Sequence, residues 1–164
     1  MFKRLFYIAL GGLFLVSCAS QYEAEKAVTR AEMSEAQSQQ ESMADFRGDL
    51  RSVYFETGKA ELTSRFKNRL DRNIEILKNN PQYNVYVKGH ADRRGGEEMN
   101  WELAMKRAKA VEDYLVSQGV SRDRIYTISK GEADPKVTAA DESYFQINRR
   151  VDFEPFRTSS ELAE

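Results

Sequence analysis

One stretch concentrates the residue types that could do chemistry: Gly89-His90-Ala91-Asp92-Arg93-Arg94-Gly95, followed by Asn100, Leu103, Arg107 and Ala108. Asp92 and Arg107 are opposite charges fifteen positions apart. Two readings of the pair stand side by side. They pair with each other on a solvated face, or they hold a charged ligand between them. A metal centre does not fit, because His90 is the only histidine and Cys18 the only cysteine, and metal sites need several such ligands. Hydrolytic catalysis through His90 and Asp92 needs a nucleophile or an activated water, and no residue pattern supplies one. An enzyme is therefore the weaker function class. Trp101, at the start of an amphipathic segment, reads as packing rather than as a sugar platform.

The elements that must position these residues follow from periodicity. Residues 51–57 are β-prone. Leu62, Phe66, Leu70, Ile74 and Leu77 recur at helical spacing and give one apolar face, which Asn79-Asn80-Pro81 ends. Residues 83–89 alternate, with Val85 and Val87 on one side and Tyr86 and Lys88 on the other, so they form a strand. The charged stretch is then a strand end, a loop and a helix start. Such loops carry function on a rigid scaffold, and a helix N-terminus suits a carboxylate. The second helix spans 101–117, with Ala104, Ala108, Val111 and Leu115 inward and Gly119 as its stop. Arg107 lies inside it, with a side chain that tilts back toward the loop. Strands at 125–129 and about 150–156 complete the order, with 134–142 read as a loop. The reading is an α/β (α+β) domain over 46–157, β-α-β-α-β-β, with helices packed on a mixed sheet. Asp92 and Arg107 are both expected at its surface.

The ends of the chain carry different signals. Lys3 and Arg4 precede an apolar run over 5–16, and small Ser17 precedes Cys18. Twelve residues are too few to span a bilayer core, which takes roughly 20, and the order is that of a secretory signal peptide over 1–17. Leu15-Val16-Ser17-Cys18 resembles a bacterial lipobox, which makes Cys18 the lipidated first residue of the mature chain. Ala19 and Ser20 include no aspartate, and by resemblance to lipoprotein sorting this directs the protein to the outer membrane, facing the periplasm. Residues 18–45 are rich in Glu, Gln, Ala and Ser and cannot bury a core. They read as a polar tether, a weak solvated helix or disordered, reaching roughly 40 Å if helical or 85 Å if extended. Residues 158–164 read as a loose polar tail. Net charge is −1 with 31% charged residues, which excludes the concentrated basic face of a nucleic-acid binder.

The 89–95 loop, the Asn100, Leu103, Ala104, Arg107 and Ala108 pattern, Asn148-Arg149-Arg150-Val151, and Val53-Tyr54-Phe55 with Lys59 together resemble the OmpA-like C-terminal domain, most of all its peptidoglycan-associated lipoprotein subgroup. The resemblance covers about residues 52–156. It implies non-covalent binding of peptidoglycan and tethering of the outer membrane to the wall. No cofactor is implied beyond the lipid on Cys18, and Tol-type periplasmic proteins are candidate partners. It also implies that Asp92 holds the ammonium and Arg107 the carboxylate of diaminopimelate in the stem peptide. Arg149, Asn100 and Leu103 are implied as secondary ligand-site residues. A departure concerns Gly58, which stands where the family usually has an aspartate that helps hold the ligand. Glu56 or Glu61 are the nearby acids that could substitute. A wall-acting enzyme, and a scaffold of another envelope, motility or secretion complex, are the competing readings.

Overall fold

The computed structural model describes residues 3–138 and 142–157, with side chains described over 26–138 and 144–157. The tail at 158–164 therefore lies outside the described residues, and the side chains of Cys18 and of the apolar run over 5–16 lie outside those whose burial is described. The chain divides into two compact units, Met1–Ser42 and Met43–Glu164. In the first, the described residues belong to helix α1 (Lys3–Asp49), and Lys26 to Ser42 present almost wholly exposed side chains. Over these residues the chain is thus a helix with solvent-facing side chains. Among the described residues no helix is long and apolar enough to cross a membrane.

The second unit begins with the end of α1. Phe46 is buried there, its ring stacked on Tyr83 at 4.5 Å between centroids. The order is then β1 (Val53–Tyr54), α2 (Ser64–Asn79), β2 (Tyr83–Gly89), α3 (Glu97–Ser117), a short 3-10 turn, β3 (Ile125–Ser129), α4 (Glu142–Asn148) and β4 (Arg150–Arg157). The sheet order is β1-β4-β2-β3, with β2 and β3 parallel and the other pairs antiparallel. Alternation decides which face is covered. Tyr83, Val85 and Val87 are buried on the same side as Val151 and Phe153, since side chains two apart share a face. Leu70, Ile74 and Leu77 of α2 and Ala108, Val111 and Leu115 of α3 close over them into one core.

Two details fix the helices that frame the loop. A Cβ placed on Gly89 would fall 1.9 Å from the Ala104 carbonyl oxygen, so glycine here lets α3 lie directly on β2. Gly119, at φ +93°, ends α3, with the Val120 N–H returning to the Leu115 carbonyl at 3.0 Å. Asn73 is fully buried on α2 and exchanges hydrogen bonds with both main-chain groups of Arg51 at 2.9 and 3.0 Å. That ties α2 to the entry of β1.

The strand at 51–57 is shorter than its composition suggests. β4 offers partners only to Val53 and Tyr54 in the ladder, after which Phe55 makes one further bond to the Arg149 carbonyl at 2.9 Å. α3 begins at Glu97, ahead of the expected 101. The connection before β4 contains α4, an element that periodicity did not reveal.

Candidate functional site

The site stands where β2 runs out. The His90 N–H donates to the Arg150 carbonyl and the Ala91 N–H to the Gly131 carbonyl, both at 2.8 Å. These two bonds pin the chain just before Asp92. Asp92 Oδ1 then accepts the Arg94 backbone N–H at 3.1 Å, which folds the loop back on its own carboxylate. The Arg94 guanidinium closes a two-pronged pair on that carboxylate, at 3.0 Å to Oδ1 and 2.9 Å to Oδ2. Arg149 adds a third contact at 3.3 Å from the other side. Burial works against the Asp92 charge most strongly, yet the bonds from Arg94 and Arg149 together hold its carboxyl below the usual range.

Arg107 does something else. It is fully buried, and its three nitrogens donate to main-chain carbonyls: Nε to Lys59 at 2.9 Å, one terminal nitrogen to His90 at 2.9 Å, the other to Glu56 at 3.2 Å. The guanidinium also lies 5.4 Å from the Phe55 ring centroid, within cation–π range. Burial pushes its pKa down to about 10, against the pull of nearby Asp92; it stays charged at neutral pH. The expectation of two surface side chains is therefore corrected. Arg107 is 0% exposed and Asp92 6%. Nor do the two pair with each other: Asp92 is taken by arginines 94 and 149, and Arg107 by three carbonyls. Arg107 acts as a pin that draws the 56–59 turn and the end of β2 together.

Between that turn and α4 lies a cavity of about 390 Å³, lined by Phe55, Glu56, Thr57, Phe66, Gln146 and Arg149. Arg149 links it to Asp92, and its Nε is held by the Phe55 carbonyl at 3.2 Å. The Arg94 terminal nitrogen also reaches Thr57 Oγ1 at 3.4 Å, so this side chain bridges from the β2 loop to the β1 loop over Asp92. The turn between them explains Gly58. The Lys59 N–H closes onto the Glu56 carbonyl at 3.2 Å with Gly58 at φ +67°, a conformation that favours glycine. Glu56, the nearer stand-in for the absent aspartate, is exposed and paired with Lys59 at 2.6 Å, and the Glu61 charge acts on that same lysine.

The remaining candidates are placed as follows. Asn100 is buried and donates through its amide to Glu132, beside Gly95. It orders the loop rather than facing the cavity. Leu103 is half-buried on α3. His90 is 1% exposed with its imidazole 3.6 Å from Asp152; burial, and then the Arg150 charge, push its pKa down to about 4. Among the described residues no group of three or more His, Cys, Asp and Glu could hold a metal. Sequence reasoning quoted Arg94 without giving it a role and missed Thr57 and Gln146. A guanidinium two positions after an aspartate in a loop was a usable signal for the first. Gln146 had none, because α4 itself was unread.

Comparison with known proteins matches residues 54–149 to the OmpA family. A peptidoglycan-associated lipoprotein of Rhizobium meliloti is 38% identical over 99 residues, covering 60% of this chain and 56% of that protein. The one from Haemophilus influenzae is 37% identical over 110 residues, covering 67% and 72%. The chain thus spans little more than half the length of the first of these relatives. Among solved structures, the peptidoglycan-associated lipoprotein of Burkholderia pseudomallei superposes with a TM-score of 0.63 at 32% identity, over 65% of this chain and 90% of that one. The C-terminal domain of Helicobacter pylori MotB shares the fold, with a TM-score of 0.62 at 21% identity over 69% and 89%.

Proposed function

The chain belongs to the OmpA family, and on that footing we propose that it is an outer-membrane lipoprotein that binds peptidoglycan without covalent linkage and tethers the membrane to the wall. The observation that carries this reading is the buried carboxylate of Asp92, flanked by Arg94 and by Arg149, the latter itself lining a 390 Å³ cavity. A fixed carboxylate beside fixed guanidiniums complements a zwitterion, and diaminopimelate in the stem peptide ends in one. Asp92 takes the ammonium, displacing the Arg94 guanidinium, which is the more exposed of its two partners. The carboxylate is drawn to the arginine side, where Arg149 lines the cavity and Arg107 supplies a second positive charge behind it. Charge-assisted bonds of this kind contribute roughly 1.5–3 kcal/mol each.

The role is binding and not catalysis. His90 is sealed inside and held neutral, which leaves Asp92 without a base or nucleophile to work with. Lipidation of Cys18 anchors the chain, and the polar helix after it gives reach to the wall. Tol-type periplasmic proteins are the partners this reading proposes.

Wall chemistry tests the reading. The full chain should co-sediment with sacculi containing diaminopimelate and release no soluble muropeptides. It should bind poorly to lysine-type sacculi, because lysine lacks the second carboxylate. Equal binding to both wall types would rule out recognition of the zwitterion, and muropeptide release that a His90→Ala variant abolishes would favour an enzyme.

A further inference from the structure

The zwitterion cavity does not end at Arg149. It shares Phe66 and Gln146 with a second hollow of about 210 Å³, lined also by Tyr54, Arg65, Arg69 and Ile147. That hollow in turn shares Tyr54 and Arg69 with a third, of about 320 Å³, reaching Arg51. The three hollows are thus linked by shared lining residues beside β1 and α2. Their walls past Arg149 carry three guanidiniums and no carboxylate.

This arrangement is costly for a free protein. Arg65 and Arg69 are one turn apart on α2, where like charges repel. Arg65 also stands in the first helical turn, which contains no acid and disfavours a cation. Several other exposed cations have acidic partners: Lys106 with Glu102, Lys109 with Glu112, Arg122 with Glu112 and Asp113, Lys136 with Asp152. Among the described residues, the side chains of Arg51, Arg65 and Arg69 have no ion pair or hydrogen bond. Between them, Tyr54 and Phe66 set two rings 6.5 Å apart, a floor suited to an extended chain's aliphatic parts.

We infer that Arg65 and Arg69 form a second anion subsite, which takes the free carboxylate of the stem-peptide residue next to diaminopimelate. This rests on the peptidoglycan reading. In the stem that neighbour is a glutamate linked through its side chain, so its α-carboxylate projects freely. With diaminopimelate at Asp92 and Arg149, the adjoining residue falls in the adjoining hollow. The charge is complementary, and the rings carry the intervening methylenes. A protein that reads this carboxylate distinguishes walls whose glutamate is free from walls in which it is amidated.

Calorimetry on the full chain with two soluble diaminopimelate stem peptides, one with free glutamate and one with isoglutamine, tests the subsite. The parent should bind the free acid about ten-fold more tightly, as loss of one charge-assisted contact implies. An Arg65→Gln/Arg69→Gln variant should bind both peptides equally, at the parent's affinity for the amide. That retained affinity shows the variant folded with the Asp92 site intact. Preference for the free acid surviving in the variant, or absent in the parent, overturns the subsite alone. A parent that binds neither peptide overturns the peptidoglycan reading, and the subsite with it.

Discussion

Removing the Arg107 guanidinium leaves the carbonyls of Glu56, Lys59 and His90 without their donor inside the protein. Unpaired buried acceptors and the space left behind should cost Arg107→Ala roughly 3 kcal/mol or more, read as a lower midpoint in urea. The surface position expected for Arg107 would have implied only a small shift. Sequence reasoning could identify a charge on the inner half of a helix, but not that three main-chain carbonyls from distant turns converge on it. Asp92 stood out by its loop position and charge, which are local properties, whereas Arg149, which meets it at 3.3 Å, was named only through the family resemblance. His90 offers a second test at this scale. Its folded pKa, about 4, lies below the usual value near 6.5. Between these values the unfolded chain binds the extra proton and the folded one does not. Stability is therefore complete above about pH 6.5 and falls as the pH drops toward 4, by about 3 kcal/mol over the window. Denaturation curves at pH 7 and 4.5 should show the slope, and His90→Gln should flatten it. An equal slope in the variant would assign the pH dependence to the carboxylates instead.

At the scale of elements, the site depends on how closely α3 lies on β2. A methyl group on Gly89 meets the Ala104 carbonyl at 1.9 Å, and neither backbone can yield without shifting Asp92 or Arg107. Gly89→Ala should therefore lower the thermal midpoint sharply, on the order of 10 °C for about 2 kcal/mol in a domain of this size. Gly96→Ala, whose added Cβ meets nothing within 4 Å, should leave it nearly unchanged. The long elements were readable because their burial repeats: Leu70, Ile74 and Leu77 on α2, and alternate residues on β2. α4 was not, because seven residues are under two turns and give periodicity too little to register. Its place is fixed from outside. Asn148 is buried and exchanges hydrogen bonds with both main-chain groups of Val137 at 2.7 and 3.2 Å. Likewise β1 shrank to two ladder residues because pairing, which β4 decides, overrides β-propensity.

For the whole molecule, the proposed function joins a lipid, a polar helix and a wall-binding domain into one tether. Each part has its own failure. Cys18→Ser should abolish labelling by a clickable palmitate analogue and move the protein out of the outer-membrane fraction, while the soluble protein still pulls down with sacculi. Continued labelling of that variant would contradict the anchor. The fold and the placing of the charged loop were legible in the sequence, because a domain of this size builds its core from a few periodic segments. Arg94 over Asp92, the depth of Arg107 and the hollows past Arg149 were not, because each is set by contacts between residues far apart in the chain. In the proposed function the grip on the wall comes down to Asp92. The full-length Asp92→Asn protein keeps the shape of the side chain and loses its charge, and can be compared with the parent for co-sedimentation with diaminopimelate-containing sacculi. Binding should fall at least about ten-fold while circular dichroism and cooperative melting show the fold retained. A folded Asp92→Asn protein that sediments with sacculi as completely as the parent would contradict the assignment of this site to the wall.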